Sequence, residues 1–257
     1  MNKYVQGNYP ILSKKNLAKD MYELEIFCPE IVERAKPGQF VHIGVKGHTL
    51  RRPISICKID HEKNTICVVF QAKGSGTRDL AEMTNQNILD VLGPCGNGFP
   101  LLDPSEKVIC IGGGIGVPPM VGVASHYGSN ATAICGFRDK SLVILQDEFA
   151  KLGTNSVICS DDGSVGIHGL VTVPLEDMLA KEKPAAVYAC GPIPMLRAIA
   201  GVAEKYDVPC KVSMEQHMGC GIGACLVCIV QIQTENGIEF KHVCKDGPVF
   251  DSKEVVF

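Results

Sequence analysis

Four of the thirteen cysteines in this 257-residue chain lie close together near the C-terminus. Their spacing is Cys220-x4-Cys225-x2-Cys228-x15-Cys244, whereas the other cysteines are scattered singly over the first 210 residues. Three thiolates on one tight loop with a distant fourth are typical of plant-type [2Fe–2S] sites. The loop residues Gly-Ile-Gly-Ala let the backbone fold around inorganic sulfides and direct N–H groups at them. The spacing therefore predicts an iron–sulfur cluster on these four cysteines.

Two other interpretations of the four cysteines stay open. Structural zinc sites usually show two separated C-x2–4-C pairs rather than three cysteines on one loop. Disulfides suit neither the odd number of cysteines nor a reducing compartment. The scattered cysteines are expected to be small buried hydrophobic residues.

A glycine-rich segment in the middle of the chain has the sequence of a strand, a tight loop and a helix start. Residues 107–119 read KVICIGGGIGVPP, and the proline pair is tolerated in a first helical turn. The helix N-terminus would then face the loop and could bind a diphosphate. The dinucleotide fingerprint G-x-G-x-x-G is absent because Val117 takes the place of its third glycine. Taken alone, the segment is equally well explained as a tight strand–helix turn.

A second loop, Cys190-Gly191-Pro192, also follows a strand and precedes a helix. Because both loops would follow strands of one parallel sheet, they are expected at the same edge, where they could form a dinucleotide crevice. Asp161-Asp162 follows the third strand, where a carboxylate could accept from a ribose 2′-OH and disfavour a 2′-phosphate. The following glycine makes an ordinary turn the alternative interpretation.

Two short motifs in the first hundred residues could bind phosphate. Residues 51–55 read RRPIS, and an arginine fork matches phosphate oxygens bidentately. Residues 74–77 read GSGT, which offers backbone N–H groups and hydroxyls. Together they could hold a second dinucleotide, although singly an exposed arginine pair is usually solvated and GSGT is usually a turn.

The elements that must position these motifs change character along the chain. The first hundred residues predict short strands of a small antiparallel barrel, with one helical turn at 79–83 and a boundary at the GPCGNGFP segment, 93–100. The predicted strands are 21–27, 40–45, 54–59, 65–71 and 88–92.

From residue 107, apolar runs alternate with helix-length segments, which predicts a five-stranded parallel α/β sheet. The strands are expected at 108–111, 132–135, 156–159, 186–189 and 211–214, and the helices at 118–127, 142–152, 172–180 and 194–206. The chain is thus expected to divide into a β-barrel domain at 1–99, an α/β domain at 100–210 and a small cluster domain at 211–257.

Composition excludes several classes of protein. With 46% apolar residues and a formal charge of −3, neither disorder nor a basic nucleic-acid-binding surface is favoured. The N-terminus lacks the apolar core of a signal peptide. The longest stretch without Asp, Glu, Lys or Arg, 108–137, is broken by glycines and a proline pair, which argues against a membrane helix. We expect a cytoplasmic protein with neither a membrane nor a nucleic acid as partner.

The order of these features resembles the ferredoxin–NADP reductase superfamily and, within it, the electron transfer subunits of NAD-dependent (class 1B) dihydroorotate dehydrogenases. The resemblance covers nearly the whole chain. Its most specific part is MGCGIGACLVC at 218–228, followed by VCKDGPVF at 243–250. Many superfamily members carry an aromatic residue that stacks on the flavin where this chain has Ile54, but the narrower family has the same apolar residue there.

The resemblance implies three cofactors and their residues. It would put FAD on Arg52, Pro53, Ile54, Ser55, Val69, Phe70, Gln71, Gly74, Gly76 and Thr77. It would put NAD across Gly112, Gly113, Gly114, Gly116, Cys190, Gly191 and Pro192. It would put the [2Fe–2S] cluster on Cys220, Cys225, Cys228 and Cys244.

The resemblance also implies a function in pyrimidine biosynthesis. Flavin exchanges a hydride with nicotinamide and single electrons with an iron–sulfur centre, so electrons would pass from a separate FMN-containing catalytic subunit through the cluster and FAD to NAD+. A heterotetramer of two copies of each subunit is expected. The chain itself would not oxidise dihydroorotate, and no catalytic acid or base is expected. The alternatives are a subunit of an NAD(P)H–ferredoxin or sulfide oxidoreductase, and a zinc-stabilised nucleotide-binding module.

Overall fold

The computed structural model describes residues 4–257, and the first part of this chain forms a closed barrel of six antiparallel strands. The strands follow one another around the barrel in the order β1-β2-β5-β4-β3-β6. They are β1 (Val5–Ala18), β2 (Met21–Phe27), β3 (Phe40–Gly44), β4 (Arg52–Asp60), β5 (Thr65–Gln71) and β6 (Ile88–Cys95). Two short helices, α1 (Pro29–Val32) and α2 (Ser75–Glu82), connect strands and pack into the barrel core.

The barrel interior follows from the alternation of side chains along each strand. In β2, Leu24 and Ile26 point into the core, whereas Glu23 lies on the outer side. The predicted strands 21–27 and 65–71 have the observed bounds. The sequence prediction missed β1, which pairs with β6 along its first half and with β2 along its second, with two register irregularities. A strand that changes partner in this way does not keep one regular alternation of buried and exposed side chains, so the sequence pattern does not reveal it.

The second half of the chain forms a parallel sheet flanked by helices. All five predicted strands are present, and the sheet is extended to seven by one short strand at each edge, giving the order β10-β9-β8-β7-β11-β12-β15. The strands are β7 (Val108–Gly113), β8 (Ala131–Phe137), β9 (Asn155–Ser160), β10 (Ile167–His168), β11 (Ala186–Cys190), β12 (Cys210–Ser213) and the antiparallel β15 (Val249–Asp251). The strand order reverses between β7 and β11, the switch point where α/β sheets bind ligands.

The helices of this half are α3 (Val117–Tyr127), α4 (Gln146–Lys151), α5 (Thr172–Leu179) and α6 (Ile193–Lys205). Three of them agree with the predicted positions to within a residue or two. The predicted helix 142–152 is wrong in its first half, because Leu145 has a left-handed backbone (φ 63°) that interrupts the helix before α4 begins. The predicted turn at 79–83 is the end of the longer helix α2.

The C-terminal segment contributes a hairpin, β13 (Ile229–Thr234) and β14 (Gly237–His242), and then returns through β15 to the α/β sheet. The division at 99/100 and 210/211 stays a prediction, although β12 crosses the second of these boundaries. Within residues 4–257, no helix combines the length and apolar character needed to span a bilayer.

Candidate functional site

The four clustered cysteines come together because the C-terminal hairpin joins two distant parts of the chain. Cys220 and Cys225 lie on the loop after β12, and Cys228 lies just before β13. Cys244 follows β14, and the Val243 N–H donates to the Cys228 carbonyl at 2.8 Å. The hairpin therefore brings Cys244 beside Cys228.

Backbone N–H groups point at two of these sulfurs. The N–H of Gly223 donates to Cys244 Sγ at 3.1 Å, and that of Ala224 donates to Cys220 Sγ at 3.2 Å. Burial disfavours the Cys220 thiolate, but the backbone N–H groups outweigh it and lower the pKa of this thiol to about 6. Burial and the neighbouring Cys228 raise the pKa of Cys244 to about 12. The loop thus already provides the donors that a bound anionic cluster would need.

The cysteines form two pairs. Cys225 is within hydrogen-bonding reach of Cys220, and Cys228 of Cys244. A [2Fe–2S] cluster has two irons that share four thiolates, so a paired donor set fits it. In the described part of the chain, no three His, Cys, Asp or Glu side chains are gathered around one point as a single-metal site would require.

The outer face of the cysteine loop is apolar. Leu226 and Val227 are 74% and 53% exposed, and Ile222 is also exposed. Cys228 and Cys244 are buried, whereas Cys220 and Cys225 are partly exposed. A cluster bound here would lie close to the surface beneath an apolar rim.

The segments predicted to hold FAD meet on one side of the barrel. Residues Arg52–Ser55 begin β4, and Gly74–Thr77 form the start of α2. A Cβ atom at Gly76 would collide with the guanidinium of Arg52. Glycine is therefore required for Arg52 to lie against the helix N-terminus, where both could contact a diphosphate.

Arg52 is held in this position by a histidine that the sequence reasoning missed. Arg52 Nη2 lies 3.2 Å from His48 Nδ1, and His48 Nε2 lies 2.7 Å from an oxygen of Asp79 on α2. Arg51 turns away and pairs with Asp90 on β6. Of the arginine pair, only Arg52 faces the glycines of α2.

Three of the predicted flavin residues stabilise the fold with their side chains. The Phe70 ring is buried in the barrel core and stacks on Tyr22 at 5.9 Å, so only the backbone of Phe70 is available to a ligand. Val69 is buried between the barrel and the α/β unit, and Gln71 is half-buried at the end of β5. The Thr77 hydroxyl accepts from the N–H groups of Lys73 and Gly74 at 3.0 Å and shapes the loop.

The two glycine-containing loops meet at the carboxyl edge of the parallel sheet. Cys190 at the end of β11 is in register with Gly112 on β7. A Cβ at Gly116 would collide with the Cys190 carbonyl, and a Cβ at Gly191 would meet the Gly113 N at 3.2 Å. Gly114 has a left-handed backbone (φ 52°) with open space around it. The two loops thus line one crevice, with Pro192 capping α6 beside it.

This crevice adjoins the flavin segments of the barrel. The 3-10 turn Gly114–Gly116 lies against β5, and α3 packs along β4. In the turn after β9, Asp162 accepts from the Ser164 N–H at 2.9 Å, and Ser164 Oγ accepts from the Lys140 N–H. One oxygen of Asp162 thus serves the turn, and the contact of Asp161 or Asp162 with a ribose stays a prediction.

The barrel also contacts the loop around Cys220 and the segment that follows Cys244. The residues that make these contacts were not indicated by any sequence motif. Asn97 Nδ2 donates to the carbonyls of Lys245 and Asp246 at 3.1 and 3.0 Å. His42 on β3 is fully buried against Gly221. Burial, and then the charge of Arg51, lower the pKa of His42 to about 4. The predicted boundary segment 93–100 is therefore also a docking element.

Known proteins of similar sequence and structure agree with this arrangement. Residues 215–256, which contain all four cysteines, match the family described as the iron–sulfur cluster binding domain of dihydroorotate dehydrogenase B. Among solved structures, an NADH-dependent reduced ferredoxin-NADP oxidoreductase is similar with a TM-score of 0.85 at 30% identity, covering 97% of this chain and 90% of that one. The ferredoxin reductase of a carbazole 1,9a-dioxygenase shares the fold at 18% identity, with a TM-score of 0.68 over 80% of this chain and 67% of that one.

Curated relatives match over nearly the whole chain. The dihydroorotate dehydrogenase B (NAD(+)) electron transfer subunit of Bacillus cereus (strain B4264) is 39% identical over 97% of this chain and 98% of the relative. The subunit of the same description from Bacillus mycoides (strain KBAB4) is equally similar. The chain belongs to the family of electron transfer subunits of dihydroorotate dehydrogenase B (NAD(+)).

Proposed function

We propose that this chain holds FAD, NAD and a [2Fe–2S] cluster at three adjoining sites and carries electrons from an FMN-containing catalytic subunit to NAD+. The observation that supports this most strongly is the convergence of all three candidate sites on the barrel. The turn Gly114–Gly116 lies against β5, and the loop of Cys220 and Gly221 lies against β3. Cofactors bound there would be neighbours, as electron transfer requires.

The FAD residues would be Arg52–Ser55, the backbone of Val69–Gln71, and Gly74–Thr77. FAD, when bound, supplies an acceptor that exchanges a hydride with nicotinamide and single electrons with an iron–sulfur centre. The Arg52 guanidinium and the N-terminus of α2 would neutralise its diphosphate. The buried strands behind these residues keep the positioning groups fixed.

The NAD residues would be Gly112–Gly116 and Cys190–Pro192. The glycines of these two loops carry no side chain, so the backbone can approach a ligand closely, and α3 starts directly behind the first loop. Burial raises the pKa of Cys190 to about 12, so its thiol stays protonated. The side chain would therefore line the site without acting as a nucleophile.

The catalytic subunit would dock on the apolar rim around the cysteine loop, Ile222, Leu226 and Val227. An exposed apolar cluster beside a redox centre is suited to burial against a partner. We propose a heterotetramer of two copies of each subunit that works in pyrimidine biosynthesis. None of the thirteen cysteines forms a disulfide, which supports a reducing, cytoplasmic location.

A second candidate keeps the cofactors and changes the partner. The similarity to the NADH-dependent reduced ferredoxin-NADP oxidoreductase favours a ferredoxin as the electron partner instead. Its identity of 30% is lower than the 39% shared with the dihydroorotate dehydrogenase B subunit of Bacillus cereus. We therefore rank it second.

The deciding experiment is anaerobic co-purification of this chain with its catalytic partner, followed by visible-spectrum titration with dihydroorotate and then NAD+. We expect dihydroorotate to bleach the flavin and cluster bands only when the partner is present, and NAD+ to restore them. Bleaching by NADH but never by dihydroorotate would shift the assignment to the ferredoxin-linked candidate. A colourless protein that contains zinc would contradict both.

A Cys225→Ala variant tests the route within the complex. Because this cysteine would be a cluster ligand, dihydroorotate-dependent reduction of NAD+ should fall to background while NADH still bleaches the FAD band. Cys67→Ala, which removes a cysteine on β5 far from the loop in sequence, is the matched control and should keep both reactions. Full dihydroorotate:NAD+ activity in Cys225→Ala would contradict the route.

A further inference from the structure

His42 is a buried polar residue that the electron transfer function leaves unexplained. Its side chain is 0% exposed, and neither ring nitrogen has a hydrogen-bond partner of good geometry. A leucine could fill the same space without the cost of burying two polar atoms. Buried polar groups without partners are rare in folded proteins, and each one calls for an explanation.

The surroundings of His42 connect two of the candidate cofactor sites. Its backbone on β3 is in register with Pro53 on β4, within the segment assigned to FAD. Its carbonyl accepts from Arg51 Nη1 at 3.2 Å. On the other side, its ring lies against Gly221, the residue next to the cluster cysteine Cys220. His42 is thus in contact with both segments.

The contact with Gly221 fixes the shape of the cysteine loop. A Cβ at Gly221 would collide with Nδ1 of His42, and the Gly221 backbone is left-handed (φ 74°). Both facts require glycine at position 221. The imidazole therefore occupies the space that the missing side chain leaves.

The backbone carbonyls of Cys220 and Arg51 also lie near the ring, although both fall short of a well-formed hydrogen bond. A neutral imidazole has one N–H to donate. Hydrogen bonds at functional sites are often long without the ligand and tighten when it binds. Only the Cys220 carbonyl belongs to the cysteine loop, and we expect the N–H of His42 to donate to it in the cluster-bound protein.

We propose that His42 is a positioning residue that fastens the cluster-binding loop to the flavin-binding strands and so keeps the two cofactors in electron-transfer contact. This inference rests on the proposed function. His42 itself exchanges neither an electron nor a proton. It acts by holding the Cys220–Gly221 peptide against β3 and β4.

The test compares two substitutions in the purified holo-complex. His42→Leu fills the space but cannot donate a hydrogen bond, whereas His42→Asn places an amide near the position of Nδ1. After rapid mixing with NADH, the FAD band should bleach at the wild-type rate in both variants. The electron paramagnetic resonance (EPR) signal of the reduced cluster should appear about fivefold more slowly in His42→Leu. Its line shape should also change, and His42→Asn should restore both properties.

His61→Gln, an exposed change in the turn between β4 and β5, is the control and should match the wild type. Wild-type cluster kinetics and line shape in His42→Leu would overturn the proposal, as would equal losses in the leucine and asparagine variants. If His42→Leu does not fold, His42→Asn is compared with His42→Gln, whose longer side chain places the amide near the position of Nε2 instead of Nδ1, the atom that faces Gly221. Equal cluster kinetics in that pair would also overturn the proposal.

The wild-type complex separates this inference from the function on which it rests. A wild type without NADH-dependent FAD bleaching or without a cluster signal would contradict the proposed function. A wild type with both, accompanied by an unaffected His42→Leu, would contradict only the role of His42.

Discussion

At the scale of single residues, a chain of contacts through His48 holds the Arg52 guanidinium against the start of α2. If Arg52 binds the FAD diphosphate, removing His48 should leave it less ordered. We expect His48→Ala to raise the dissociation constant for FAD about fivefold, the effect of losing one hydrogen bond worth about 1 kcal/mol. Titration of the deflavinated protein, followed by flavin fluorescence, measures this.

Glu82→Gln, an exposed change on the last turn of the same helix, is the control for His48→Ala and should leave FAD affinity unchanged. The iron content should be the same in both variants. Unchanged FAD affinity in His48→Ala would show that Arg52 needs no support from this histidine.

At the scale of elements, the ion pair between Lys211 on β12 and Asp251 on β15, 2.8 Å apart, helps to join the C-terminal strand to the sheet. Burial opposes ionisation of Asp251, but Lys211 and Lys253 outweigh it and lower the pKa of the carboxyl. A carboxyl whose folded-state pKa is depressed stabilises the fold above its unfolded pKa and loses that contribution as the pH falls. We expect Asp251→Asn to lower the free energy of unfolding by about 1 kcal/mol at pH 7.

That difference should shrink as the pH falls from about 5 to about 2, because the wild-type carboxyl then becomes protonated too. Urea unfolding followed by circular dichroism at several pH values measures it. Asp177→Asn, an exposed change on α5, should lie within about 0.5 kcal/mol of the wild type throughout. A pH-independent difference for Asp251→Asn would rule out the charge as its cause.

At the scale of the whole molecule, two ion pairs that share Lys58 join the barrel to the α/β unit. Lys58 Nζ lies 3.2 Å from Glu23 on β2 and 3.1 Å from Glu148 on α4. The Glu23 side chain is only 4% exposed, and its other oxygen pairs with Lys15 at 3.3 Å. Removing Lys58 would leave one oxygen of this nearly buried carboxylate without its cation. We expect Lys58→Ala to lower the free energy of unfolding by about 2 kcal/mol, or the thermal midpoint by about 4–8 °C.

Lys107→Ala is the matched control for Lys58→Ala, because both side chains of the Lys107–Glu182 ion pair are exposed. Its loss should change stability by less than about 1 kcal/mol. Equal thermal unfolding midpoints for the two variants, measured by calorimetry of the holo-protein, would contradict a stabilising role for the ion pairs of Lys58.

The sequence by itself determined the features that depend on local spacing. The four cysteines and the two glycine loops are recognisable because their chemistry requires particular residues at fixed intervals along the chain. Strands 21–27 and 65–71 were predicted with their full bounds, because each is an apolar-rich run that follows a turn residue, Asp20 and Asn64 respectively, both with positive φ. The helix broken at Leu145 was not, since a left-handed leucine leaves no signal in the sequence.

Only the tertiary structure decided which distant residues meet. His42 and Asn97 reach the cysteine loop, His48 supports Arg52, and β15 returns to the edge of the sheet. Each of these contacts forms only because the barrel closes or because the C-terminal segment packs against the rest of the molecule. Such contacts depend on how the packed elements are oriented in space, and no interval along the chain encodes that orientation.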